Sequence, residues 1–84
     1  MPYITRAQRD LLATGIPPSH PGELNYVLTE MIVKYAKHHG DSYHVINDIL
    51  GALEGAKLEF YRRVVVPYEN TKLALNGDVY NAPQ

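Results

Sequence analysis

The chain has 84 residues, a formal net charge of -1 from 8 basic and 9 acidic side chains, and no cysteine. That near balance argues against a nonspecific nucleic-acid binder, which carries a clear positive excess. The missing cysteine excludes a disulfide framework and a thiolate zinc site.

No run approaches the length of a membrane span; the longest aliphatic run is Val64-Val65-Val66. The amino end lacks an apolar signal segment, so a cytoplasmic setting is the expectation. The length suits a single small helical domain over 1–84. Composition divides it into an N-terminal helix and Pro-rich arm (1–22), a helical core (23–75) and an extended tail (76–84).

Taken in chain order, Thr5 followed three residues later by Gln8 has capping-box spacing for a first helix from Arg6 to Ala13 that stops at Gly15. Eight residues of helix are not stable alone, so this piece must dock, and a partner chain is the expected platform. Gly15 to Gly22 carries three prolines and two glycines, and reads as a stiff arm. Pro21 is acceptable in the first turn of the helix that follows.

The second helix is read at about 23–39. Leu24, Val27, Leu28, Met31, Ile32 and Tyr35 recur at steps of three and four, and Gly40 supplies the stop. The third, at about 42–66, is capped by Asp41 or Ser42. Its stripe runs through Val45, Ile46, Ile49, Leu53 and Phe60 to Val64. A three-residue connection makes the two helices an antiparallel hairpin.

Pro67 cannot donate to the carbonyl of Arg63, yet Tyr68, Lys72 and Leu75 keep the helical step beyond it. The reading is therefore a kinked continuation to about Leu75, ended by Asn76-Gly77. In sum, the expected fold is all-α: a helical hairpin with a short N-terminal helix, assembling as an oligomeric helical bundle. One hairpin has two apolar faces and cannot bury both alone.

The chemistry-bearing residues cluster in the third helix. Gly51 and Gly55 together cost roughly 2 kcal/mol of helix propensity. With Ala52 and Ala56 beside them, they leave one side of the helix nearly flat. Close approach of a second helix explains this, so Gly51, Gly55, Ala52 and Ala56 are the candidate self-association seam. The Gly-x-x-x-Gly step is best known from membranes; here only its geometry transfers.

Tyr61-Arg62-Arg63 joins an aromatic face to two guanidinium forks, which bind phosphate or carboxylate bidentately. Lys57, His44 and Asn47 complete the candidate ligand-binding set. His44 and Asp48, four apart, form a His-carboxylate pair suited either to general-base work or to the helix start. No catalytic nucleophile stands at a telling spacing. No metal and no cofactor is expected. His20, His38, His39 and His44 show no His-Glu-x-x-His step, and the Glu-x-x-His repeat of a di-metal bundle is missing.

Several stretches together resemble a family of small uncharacterised bacteriophage and bacterial proteins. They are Leu24-Asn25-Tyr26, Tyr43 to Asp48, the run Gly51-Ala52-Leu53-Glu54-Gly55-Ala56-Lys57-Leu58-Glu59-Phe60-Tyr61-Arg62-Arg63-Val64-Val65, Pro67-Tyr68-Glu69 and Asn76-Gly77-Asp78-Val79-Tyr80. The resemblance covers roughly 23–80 and brings no established activity. Small phage proteins include oligomeric inhibitors of host defence, some of which sequester nucleotide signals, and the resemblance implies the host cytoplasm as the setting if the chain is phage-encoded.

The lead expectation is thus a noncatalytic homo-oligomer, a dimer or larger. It would sequester a small anionic nucleotide-like ligand or block a host protein. A magnesium-dependent nucleotide-processing enzyme using Glu54 and Glu59, and a structural or scaffold component of a virion, are the alternatives.

Overall fold

The structure, a computed structural model, describes residues 4–80. They form α1 (Arg6–Ala13), α2 (Pro21–His39), α3 (Tyr43–Phe60), a π-helical turn (Tyr61–Val65) and α4 (Val66–Asn76). The described residues contain no strand. The all-α reading holds. The described residues fall into two compact units, 4–49 and 50–80.

In the first unit, α1 starts on the expected capping box. Thr5 Oγ1 accepts the Gln8 N–H at 3.1 Å, and Gln8 Oε1 accepts the Thr5 N–H at 2.6 Å. The helix ends where Gly15 turns to φ +95°, a conformation in which a Cβ is strained. Helix α2 begins at Pro21, two residues earlier than the apolar spacing indicated, because His20 is its N-cap and proline needs no donor in the first turn. It ends at Gly40, at φ +92°, whose N–H reaches the carbonyl of Ala36 at 2.7 Å.

Ser42 Oγ then accepts from the Val45 N–H at 3.3 Å, the cap of α3. Of the two caps read from sequence, the structure selects Ser42. Helix α1 docks on α2 of its own chain, where Gln8 reaches the Glu23 carboxylate at 3.2 Å. The only apolar residues buried among those described are Ile4 and Val45.

The second unit has no buried residue among those described; Val65, Val66 and Asp78 are half-buried. Helical structure passes through Pro67 to Asn76, as the spacing indicated. The device that permits this was not readable beforehand. Over Tyr61–Val65 the ladder widens, so that the Val66 N–H bonds the carbonyl of Tyr61, five residues back. A proline ring inside an α-helix collides with the carbonyl four residues upstream. A π turn just ahead of Pro67 opens that spacing, and such single turns mark the few places where helices accept an irregularity. Gly77, at φ +88°, closes α4 with its N–H on Leu73 O at 2.9 Å.

In the tail, Asp78 Oδ1 accepts from the Tyr80 N–H at 2.9 Å, while Val79 and Tyr80 are 88% and 98% exposed. The remainder of the expected extended tail, 81–84, lies outside the described residues.

Candidate functional site

The second unit holds four of the six ligand-binding candidates and sets three of them, Tyr61, Arg62 and Arg63, side by side. The i,i+3 and i,i+4 spacing from Glu59 brings both arginines to one carboxylate: Arg62 Nη2 donates to Glu59 Oε2, and Arg63 Nε lies 3.5 Å from Glu59 Oε1. Two positive forks therefore share one negative charge, which leaves a net positive spot at the end of α3. All three side chains are well exposed. In that solvent the pairs are worth little and exchange readily for another anion.

Beside them lies a depression of about 420 Å³ lined by Gly55, Leu58, Glu59, Tyr61, Arg62 and Val66. Its floor is open because Gly55 carries no side chain; a Cβ built there meets nothing within 4 Å. The Tyr61 ring forms part of the wall. Its Oη donates to Glu69 Oε1 at 3.2 Å, across the π turn. That hydrogen bond, reinforced by the Glu69 charge, holds the phenol in its protonated form and raises its pKa. A π-faced ring and a guanidinium fork are the elements that receive a planar base with an anionic group.

The other three candidates stand elsewhere. Lys57 pairs with Glu54 at 3.7 Å and does not line the depression, since five residues set it about 140° around the helix from Arg62. His44 and Asn47 belong to the first unit. There His44 Nε2 lies 3.4 Å from Asp48 Oδ2, and Tyr35 Oη donates to that same oxygen at 3.1 Å. The hydrogen bond to Asp48 raises the pKa of Tyr35. Asp48 thus ties the start of α3 to α2, which gives the His44-Asp48 pair a structural setting.

Of the seam candidates, Gly51 and Gly55 share one side of α3, about 40° apart, while Ala52 and Ala56 lie about 100° further round. Apart from chain neighbours and the helix's own backbone, no atom among the described residues lies within 4 Å of a Cβ position on either glycine. Packing among the described residues of the second unit therefore does not account for them.

One hub was missed by sequence reasoning. Glu23, 8% exposed, is the only buried charged residue among those described. Its Oε1 accepts both the N–H and the hydroxyl of Ser19, at 2.8 and 2.9 Å, and its Oε2 accepts from Gln8. The Ser19 N–H is the largest influence holding its carboxyl below the ordinary value, with the hydroxyl next; burial acts the other way. The signal was present: Glu23 stands three residues after the His20 N-cap, the position from which an acidic side chain reaches back over a helix start. No group of three or more His, Cys, Asp or Glu side chains suited to a metal ion occurs among the described residues.

These features define a small all-α protein with one long kinked helix and few buried side chains among the described residues. The chain belongs to the family described as Domain of unknown function (DUF6899), whose sequence profile matches residues 1–79. No curated protein and no solved structure shows significant similarity to it.

Proposed function

We propose that this chain acts without catalysis, as a homo-oligomer that sequesters a small anionic, nucleotide-like ligand. The observation that carries the reading is the arginine pair gathered on Glu59, with the Tyr61 ring beside it. The forks are already aligned by a carboxylate, and a ligand phosphate can take the place of that carboxylate without reorganising the helix. Tyr61 supplies a face for a base. The resemblance of the third-helix region to small phage proteins supports a bacteriophage setting with action in the host cytoplasm.

Self-association is supported by the scarcity of buried side chains among the described residues. Leu50, Leu53, Phe60, Val64, Leu73 and Leu75 are all exposed, a larger apolar surface than a soluble monomer of this size ordinarily carries. Catalysis by Glu54 and Glu59 is less favoured. Five residues apart on a helix, they point about 140° away from each other and do not converge on one ion within a protomer.

Native mass spectrometry of protein purified from expressing cells tests the reading. An oligomer retaining a nucleotide-sized mass that is released chemically intact supports sequestration. Titration calorimetry with a mononucleotide and a dinucleotide then measures affinity. Absence of any retained mass, together with no heat at millimolar nucleotide, overturns it. Magnesium-dependent turnover abolished by Glu54→Gln or Glu59→Gln establishes the enzyme instead.

A further inference from the structure

The depression at Gly55 has a self-complementary surround. Gly51, Gly55, Leu58 and Arg62 follow steps of four, three and four, the spacing that keeps a stripe turned toward one neighbouring helix. By the 100° step they fall within an arc of about 60°, and three of the four line the same depression. Leu58 projects from it, 55% exposed, and no side chain fills the space over Gly55. Along this stripe the charge changes sign: Glu54 flanks the glycine end and Arg62, backed by Arg63, stands at the other.

From this pattern we infer that a second copy of the chain docks on the stripe antiparallel. Each copy's Leu58 then sits over the partner's Gly55, and each Arg62 lies within reach of the partner's Glu54. The inference rests on the self-association reading above and specifies its geometry.

Charge order selects the direction. A parallel crossing sets Glu54 against the partner's Glu54 and Arg62 against the partner's Arg62, and like charges face to face are unfavourable. The antiparallel crossing replaces both repulsions with two opposite-charge pairs related by a two-fold axis, the symmetry most common for homodimers. Packing agrees with charge. A leucine placed on a glycine allows the axes to approach, and the two glycines are where the helix gives up propensity to permit it. The occupant is a second copy because the stripe carries both halves of the complement itself.

Sedimentation equilibrium of the full chain and charge-reversed variants tests this, together with distances between single spin labels. The absence of native cysteine makes single-cysteine labelling clean. Glu54→Arg alone and Arg62→Glu alone should each weaken association about tenfold or more, and the double variant should restore it, with far-UV circular dichroism unchanged throughout. Labels at Ala56→Cys, near the crossing, should give a short distance between copies, and labels at Leu75→Cys a much longer one. Equal short distances at both positions, or charge reversals without effect on an oligomer, overturn the antiparallel arrangement and leave self-association standing. A wild-type chain that sediments as a monomer overturns both.

Discussion

Ser19 and Glu23 are joined twice, the backbone N–H and the hydroxyl of one meeting the same carboxylate oxygen of the other at 2.8 and 2.9 Å. With Gln8 on the other oxygen, at 3.2 Å, this carboxylate ties α1, the Pro-rich arm and the first turn of α2 together. Helix α1 has only eight residues and depends on that anchor. Glu23→Ala should release α1, seen as loss of amide-exchange protection over Arg6–Ala13, while α3 and α4 keep theirs.

The pH dependence of stability follows from the same bonds. Glu23 has a folded-state pKa below its ordinary value. Its contribution is therefore complete above the unfolded-state value and fades as pH falls through the lower folded value. Tyr35 and Tyr61 have raised values, from the hydrogen bonds to Asp48 and Glu69. Their contributions are complete below the ordinary tyrosine value, near 10, and fade as pH rises through the higher folded values. Thermal melting across pH should show a plateau with acid and alkaline shoulders. Glu23→Gln should remove much of the acid shoulder, and Glu69→Gln part of the alkaline one.

Glycine replacement should separate folding from assembly. Among the described residues no side chain stands within 4 Å of a Cβ at Gly51 or Gly55, so alanine there should add about 1 kcal/mol of helix stability per site. In an assembly closed over those glycines, the same change should weaken association, and leucine should weaken it further. A rise in helix melting temperature with a fall in oligomer mass is the expected pair of readings. Unchanged oligomer mass for Gly51→Leu with Gly55→Leu would remove the glycines from the seam.

Loss of the Arg63 fork, which the contact between copies does not use, should act on ligand affinity. Arg63→Ala should weaken nucleotide binding by roughly tenfold to a hundredfold, the range of a charge-assisted hydrogen bond. Arg63→Lys should recover only part of it, because an ammonium cannot present a planar fork. Lys57→Ala, whose side chain faces Glu54, should leave binding within about twofold. Calorimetry on the three variants checks the order.

Pro67 and the π turn are one device. Pro67→Ala restores a donor and removes the ring, so Tyr61–Val65 should close to ordinary α geometry. That closure turns Tyr61 away from Glu69, whose hydrogen bond spans the turn at 3.2 Å. The Tyr61 phenol should then titrate closer to its ordinary value in an absorbance titration, with helix content unchanged or raised.

Local signals in the sequence determined the helices: the Thr5-Gln8 capping box, the stops at Gly15, Gly40 and Gly77, and the three- and four-residue apolar steps through α2 and α3. Each depends on residues within one turn of each other, and local geometry alone satisfies them. The continuation past Pro67 was legible for the same reason, but not the π turn, since a change of ladder register leaves the apolar spacing nearly intact.

Other relationships needed the folded chain. Glu23 gathers Gln8 from 15 residues away, and Asp48 takes Tyr35 from 13 residues away, distances over which no periodicity operates. The candidate site divides along the same line. Arg62 and Arg63 were readable together because one helix turn joins them at Glu59, whereas Lys57 was grouped with them by proximity in sequence and is separated by the rotation of the helix.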